Sequence, residues 1–189
     1  CVRTNSLGNY NLEVVPDPNG SLRFFLEGYY PVIAPATVGA DDIGWRTIVL
    51  LPNELMKTFA GLLMTRWPND EQGIVVVTAA HEVQLKGTGV LRTENRAGVR
   101  FELVKGQGGV RYYGNEMLIP TASLEETTVA GWGGWTEVDP GEPGDIEIRY
   151  TRDPEEECSA TLGFAGSGPD SVTGPVRGGS FTYLGVVCR

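Results

Sequence analysis

Apolar and polar residues alternate along several short stretches bounded by glycine and proline, and a period of two marks strands with one covered face. "DIEIRY" shows it most cleanly: Ile146, Ile148 and Tyr150 fall on one face, Asp145, Glu147 and Arg149 on the other. "VRFELV" repeats the pattern with Val99, Phe101 and Leu103. The runs "SLRFFLE", "WRTIVLL", "GIVVVTA" and "SFTYLGVV" are continuously apolar, as expected of strands covered on both faces. One segment changes period. In "PNELMKTFAGLLMTRWP", Leu55, Met56, Phe59, Leu62, Leu63 and Trp67 recur at helical spacing, which predicts one amphipathic helix near residues 53–67 with Asn53 as N-cap and Pro68 as its stop. Its expected role is to cover an open face or end of the sheets rather than to bind a partner. The pattern as a whole predicts an all-β fold, a mainly antiparallel sandwich or barrel with that single helix, forming one domain over residues 1–189.

"LKGTGVLR" (Leu85 to Arg92) and "VKGQGGVR" (Val104 to Arg111) echo one another, each with Lys-Gly-x-Gly leading into a new apolar run. Read as tight turns between neighbouring strands, they make Gly73 to Ile119 an antiparallel meander. The pattern loosens from Thr121 to Asp145 and again from Gly163 to Gly179, and both segments are expected to be long surface loops that carry any binding.

Composition supports this picture: 26 glycines and 12 prolines among 189 residues supply turns, and the chain is long enough to bury a core without staples. The net charge is −9, with Lys57, Lys86 and Lys105 the only lysines and the arginines scattered singly among acids. Phosphate contacts need clustered cations, so nucleic acid is not expected as a partner. No apolar run approaches the roughly 20 residues that span a bilayer, so no membrane insertion is expected. Cys1, Cys158 and Cys188 allow at most one disulfide. Cys1 with Cys188 would tie the two ends together, the layout of a domain inserted into or cut from a larger protein. The alternatives are free cysteines acting as small apolar residues, or an acylated Cys1 at the start of a mature bacterial lipoprotein. Asn19, in "NGS", is either a glycosylation acceptor or part of a hairpin turn.

His81 is the only histidine, which removes multi-histidine metal sites and leaves one candidate base in a strand context with no G-x-S-x-G serine. No catalytic residue, metal or cofactor is therefore expected. Asp139, Glu142 and Asp145 recur at i, i+3, i+6 across Pro-Gly turns and offer carboxylate oxygens of the kind calcium takes from loops, though without the spacing of an EF-hand, and whether they bind it is left open by the sequence. "AGWGGWTEVDP" is more informative. Trp132 and Trp135 lie among three glycines, where large rings with one N–H donor suit a sugar face or a protein hot spot. Tyr112 and Tyr113 form a second aromatic cluster, in which strand alternation should bury one ring and expose the other. Trp132, Trp135, Tyr112 and Tyr113 are the candidate binding residues.

An acidic, nearly all-β module with one short helix and long Gly/Pro loops, such as "AGWGGWTEVDPGEPGD" and "GFAGSGPDSVTGPVRGG", resembles the protruding or spike domains of small non-enveloped virus capsids. It is most similar in outline to astrovirus-type spikes, then to hepevirus protruding domains; the likeness lies in size and pattern rather than in a motif. The resemblance implies a dimeric, β-barrel-like, non-enzymatic spike at the virion surface whose loops attach to a host receptor, protein or glycan, and carry antibody epitopes. Two other classes are open: a secreted or lipid-anchored bacterial β-sandwich that binds carbohydrate or protein at the cell surface, and a glycoside hydrolase using a carboxylate pair.

Overall fold

A computed structural model describes residues 2–8, 11–13, 17, 19–36, 49–84, 91–151 and 156–189. Along the chain β1 (Ser21–Phe24) and β2 (Val32–Pro35) precede α1 (Asn53–Leu63). Then follow β3 (Gly73–Gln84), β4 (Leu91–Asn95), β5 (Arg100–Lys105), β6 (Arg111–Gly114), β7 (Pro120–Thr121) and β8 (Trp132–Val138). The last five strands are β9 (Glu147–Thr151), β10 (Cys158–Leu162), β11 (Phe164–Ala165), β12 (Ser171–Thr173) and β13 (Phe181–Cys188). The molecule is mostly strand, in two sheets, with one short helix, as the alternating pattern predicts.

The larger sheet runs β1-β2-β13-β3-β8-β6-β7, with β10 added to β13 and β4 to β3. The smaller runs β11-β12-β9-β5. At the centre, β13 lies parallel to β3 over its whole length, Phe181 opposite Ile74 through Cys188 opposite His81. Because β2 is also parallel to β13, the segment β2-α1-β3 is a crossover that steps over one strand, and such a connection has to pass across a face of the sheet. This is what puts α1 on the face away from the small sheet.

The main core fills the space between the sheets. Val75, Val77 and Ala79 of β3 and Leu184 and Val186 of β13 meet Phe101, Ile148, Tyr150 and Val172 from the smaller sheet. Ile146, Ile148 and Tyr150 share this buried side while Arg149 is exposed, matching the alternation read from "DIEIRY". Buried hydroxyls tie the layers together: Tyr113 on β6 accepts from the Phe101 N–H at 2.8 Å, and Thr127 accepts from the Val99 N–H at 2.9 Å.

Four expectations change. The meander does not form, because β5 leaves the larger sheet to pair with β9 and β6 returns to it. "VKGQGGVR" thus joins different sheets, whereas β3 and β4 do pair as neighbours and the turn between them lies outside the described residues. "SLRFFLE" is an edge strand that ends at Phe24, leaving Phe25 and Leu26 exposed. Of "WRTIVLL", residues 45–48 lie outside the described part and Val49–Leu51 are not strand. The supposed loops also carry structure, since 132–138 is a strand of the larger sheet and 163–179 contains β11 and β12.

The helix is shorter than its periodicity suggests. It starts at Asn53 with Pro52 as the capping residue and no side-chain cap, and Glu54 supplies negative charge to the first turn. It ends when Met64 turns left-handed at φ 54°, with Thr65 N–H donating to the Ala60 carbonyl at 3.0 Å. Methionine at a position that favours glycine costs about 1–2 kcal/mol. Met56, Ala60 and Leu63 are buried against the sheet, while Leu62 is exposed.

The Cys1–Cys188 pairing, one of the alternatives open in the sequence, is not formed; Cys188 is bonded to Cys158. The two cysteines sit directly opposite each other in the antiparallel pair β10–β13, and cross-strand registry brings their Cβ atoms within bonding reach. Cys1 lies outside the described residues.

The segment 163–171 is pinned by Glu147, buried at the start of β9. Its Oε1 accepts from the Ser167 N–H at 2.8 Å, and the Ser167 hydroxyl lies 2.7 Å from the same oxygen. Hydrogen bonds from the Ser171 and Ser167 hydroxyls hold its carboxyl below the ordinary glutamate value of 4.5. A carboxyl lowered in the folded state stabilises it above the unfolded-state value, and that contribution disappears as pH falls through the folded value. The amide shifts of Gly166 and Ser167 should accordingly move cooperatively in an acid titration below pH 4.5, and Glu147→Gln should abolish the step.

The bridge spans 30 residues of sequence, so constraint of the unfolded chain should contribute about 2–4 kcal/mol. Replacing both Cys158 and Cys188 by alanine should lower the urea midpoint by that equivalent, and a dithiol reductant should have the same effect on the unmodified protein.

Candidate functional site

Strand alternation decides what the four aromatic candidates can do. Trp132 and Trp135 are three residues apart on one strand, so they face opposite sides of the sheet. Trp135 is buried in the core between the sheets, next to Val75 and Val138. Trp132 faces the other way, beneath α1. Tyr112 and Tyr113 divide likewise, Tyr113 into the core and Tyr112 toward the helix. Both tyrosines are buried, because both faces of β6 are covered, and the expectation that one would be exposed does not hold. Trp132 and Tyr112 are brought together, with ring centroids 5.9 Å apart and planes at 70°.

Glycine makes this arrangement possible at two points. A Cβ on Gly114 would lie 2.2 Å from the Trp132 ring, so the indole rests directly on the β6 backbone. A Cβ on Gly134 would fall 1.9 Å from the Val75 carbonyl oxygen, so β8 and β3 approach closely only without it.

Trp132 and Tyr112 form part of a cleft of about 400 Å³ between α1 and the outer face of the larger sheet. Two more aromatic pairs line it. Tyr30 and Trp67 lie 4.9 Å apart at one end, and Phe181 and Tyr183 stack at 6.4 Å on the floor. Met56, Phe59 and Leu63 of α1 form the roof. The rim is apolar as well: Val49 is 66 % and Leu118 59 % exposed. Leu118 sits at φ 62° in a turn held by the Asn115 carboxamide, which accepts from the N–H groups of Met117 and Ile119. A bulky side chain in a left-handed turn, presented to solvent, is a strained feature of the kind found at binding sites.

At the polar end of the cleft the side chains are engaged with one another. Asn69 donates to Gln72 at 3.2 Å, Gln72 donates to Asp139 at 2.8 Å, and Glu137 accepts from the Arg66 N–H at 3.3 Å. Burial, and then the charge of Asp70, push the Tyr30 hydroxyl up to about 12; burial alone raises Tyr112, whose hydroxyl donates to the Val75 carbonyl at 3.2 Å. Neither ring ionises near neutral pH, so both act as aromatic surface.

No family model, curated protein or solved structure matches the chain. The chemistry open to the cleft follows from its own residues. Glu137 is its one carboxylate among the described residues, and His81 lies in β3 outside the lining, with Nδ1 buried and unpartnered. Asp139, Glu142 and Asp145 do not converge: Asp139 holds Gln72, Glu142 pairs with Arg177 at 2.6 Å, and Asp145 accepts from the Glu142 N–H. The one cluster of metal-ligating atoms among the described residues is Glu156, Cys158 and Cys188. Its sulfurs are joined to each other and Glu156 is held by Arg96 through bonds of 3.2 and 2.7 Å, which leaves no free ligand set. A second depression, near Arg23 and Arg177, is polar and bordered by Asp70 and Glu71.

The pattern had pointed to a helix covering an apolar face, but not to Tyr30, Trp67, Phe181 and Tyr183 as walls of one cleft. The available signal was that "GIVVVTA" and "SFTYLGVV" are apolar on both faces, so the side away from the core also had to be covered.

Because the Trp132 ring rests on Gly114, Gly114→Ala should push it off its seat at a cost of about 1–3 kcal/mol. Thermal unfolding should record the loss, and tryptophan emission should shift to the red as the indole becomes wetter. The same substitution at Gly168, where an added Cβ comes no nearer than 3.7 Å to a neighbour, should leave the emission unchanged.

Proposed function

We propose that the protein is a non-enzymatic binding domain whose recognition element is the aromatic cleft between α1 and the larger sheet. The observation that carries this reading is the cleft itself: about 400 Å³, walled by three aromatic pairs and rimmed by exposed Val49 and Leu118. That volume is in the range of roughly 300–1,000 Å³ typical of small-molecule sites. Exposed apolar rims cost solubility unless a ligand or partner uses them.

The other readings fit less well. A glycosidase needs two facing carboxylates, and among the described residues one lines the cleft. A sugar needs many unspent hydrogen-bonding groups, whereas Asn69 and Gln72 are already bonded. Host attachment by a virion spike would place contact on loops, yet Trp132, Trp135, Tyr112 and Tyr113 all stand in β6 and β8. The Cys158–Cys188 bridge supports residence in an oxidising compartment, in keeping with an extracellular or cell-surface setting.

Titration with N-phenyl-1-naphthylamine, a neutral apolar fluorophore, should give saturable one-site binding with quenching of tryptophan emission. Trp132→Ala should weaken it by about tenfold, equivalent to about 1.4 kcal/mol. Replacement of Phe25, exposed and outside the cleft, should have no effect. Absence of saturable binding, or equal binding by the Trp132 variant, would remove the cleft as the recognition element.

A further inference from the structure

The cleft is apolar in its walls but unbalanced in its charge, and on the reading that it binds a ligand this imbalance selects the ligand class. Among the described residues, two charged side chains line it, Arg66 and Glu137. The Arg66 guanidinium is taken up by Glu71 at 3.3 Å. Glu137 has no such partner. It lies at a β-bulge, where the three-residue step from Trp135 to Val138 on β8 is matched by a two-residue step from Val75 to Gly73 on β3. Its φ of 51° is a conformation that favours glycine. The bulge re-aims this side chain, and its one hydrogen bond among the described residues is the 3.3 Å contact from the Arg66 N–H. Further negative charge stands close by: Asp139 holds the cleft residue Gln72, and the field of Asp70 reaches the Tyr30 hydroxyl. The whole chain carries −9.

We propose that the cleft takes an organic cation, a quaternary ammonium group on an apolar body, lodged among the aromatic pairs with its charge toward Glu137. Ring faces attract cations, most strongly those of tryptophan. A quaternary ammonium has no N–H and sheds its water readily, so it needs none of the hydrogen bonds that Asn69 and Gln72 already spend on their neighbours. An anion would meet Glu137 and the overall negative field. A bare metal ion would find one carboxylate among the described residues where it needs several oxygens.

Benzyltrimethylammonium and neopentylbenzene have the same shape and differ by one charge, and 4-phenylbutyrate supplies an anion of similar size. Each is to be tested for displacement of N-phenyl-1-naphthylamine from the whole protein. The cation should compete about tenfold better than its neutral isostere, and the anion worst. Glu137→Gln should cut the preference for the cation to the part that the ring faces supply, with a smaller effect on neopentylbenzene competition. In the unaltered protein the preference should shrink as ionic strength rises from about 0.01 M to about 1 M, a readout that needs no variant. Equal competition by the two isosteres, or a preference undiminished by Glu137→Gln, overturns the assignment and leaves the cleft reading standing. Failure of N-phenyl-1-naphthylamine itself to bind sinks the cleft reading, and this inference with it.

Discussion

The parallel pairing of β13 with β3 is the contact on which the rest of the molecule is built. Both strands are covered on both faces, so their alternating side chains serve two compartments at once. Val75, Val77, Leu184 and Val186 point into the space between the sheets. Val76 and Phe181 point toward α1. Core and cleft are thus opposite sides of the same two strands, and the cleft floor inherits the rigidity of the core beneath it. A binding surface mounted this way differs from one carried on loops, since its rings are fixed by strand registry.

Close approach at glycine extends that order outward. Gly134 lets β8 settle against β3, and Gly114 gives the Trp132 ring a seat on β6. Hydroxyls do the corresponding work between the sheets. Tyr113 satisfies the backbone N–H of Phe101 on the opposite sheet, and Tyr150 on β9 reaches the carbonyl of Cys158 on β10 at 3.4 Å. The buried tyrosines therefore join layers that share no strand pairing, while Tyr112, on the other side of β6, faces the cleft.

Much of this was legible in the sequence because it is local. Alternation in "DIEIRY" and "VRFELV" located core faces correctly, the continuous runs at 73–79 and 180–187 marked the doubly covered strands, and helical spacing located α1. Non-local facts were not legible. Nothing in "VKGQGGVR" reveals that the strands on either side of it belong to different sheets, since a turn between sheets uses the same glycines as a hairpin. Cysteine spacing likewise cannot show that Cys158 and Cys188 are registered across two strands. The tryptophans misled for a plainer reason: read as a hinged loop they form a pair, but on a strand a separation of three sends them to opposite faces. The cleft was hidden because its walls come from Tyr30 ahead of β2, from α1, β3, β6, β7, β8 and β13 and from the segment at Trp67, and no short window contains it.

The order of the strands has a consequence for biosynthesis. The strand between β2 and β3 in the larger sheet comes last in chain order among the described strands, and its partner β3 precedes it by more than a hundred positions. A nascent polypeptide that has emerged only as far as β12 holds β2 and β3 with nothing to bridge them, and its apolar rows stand open on both sides. Long-range parallel closure of this kind is slow, and the gap invites association with other chains. Assembly has to wait until the ribosome has delivered β13, which makes this a fold completed late and all at once, with a premium on chaperone cover during translation.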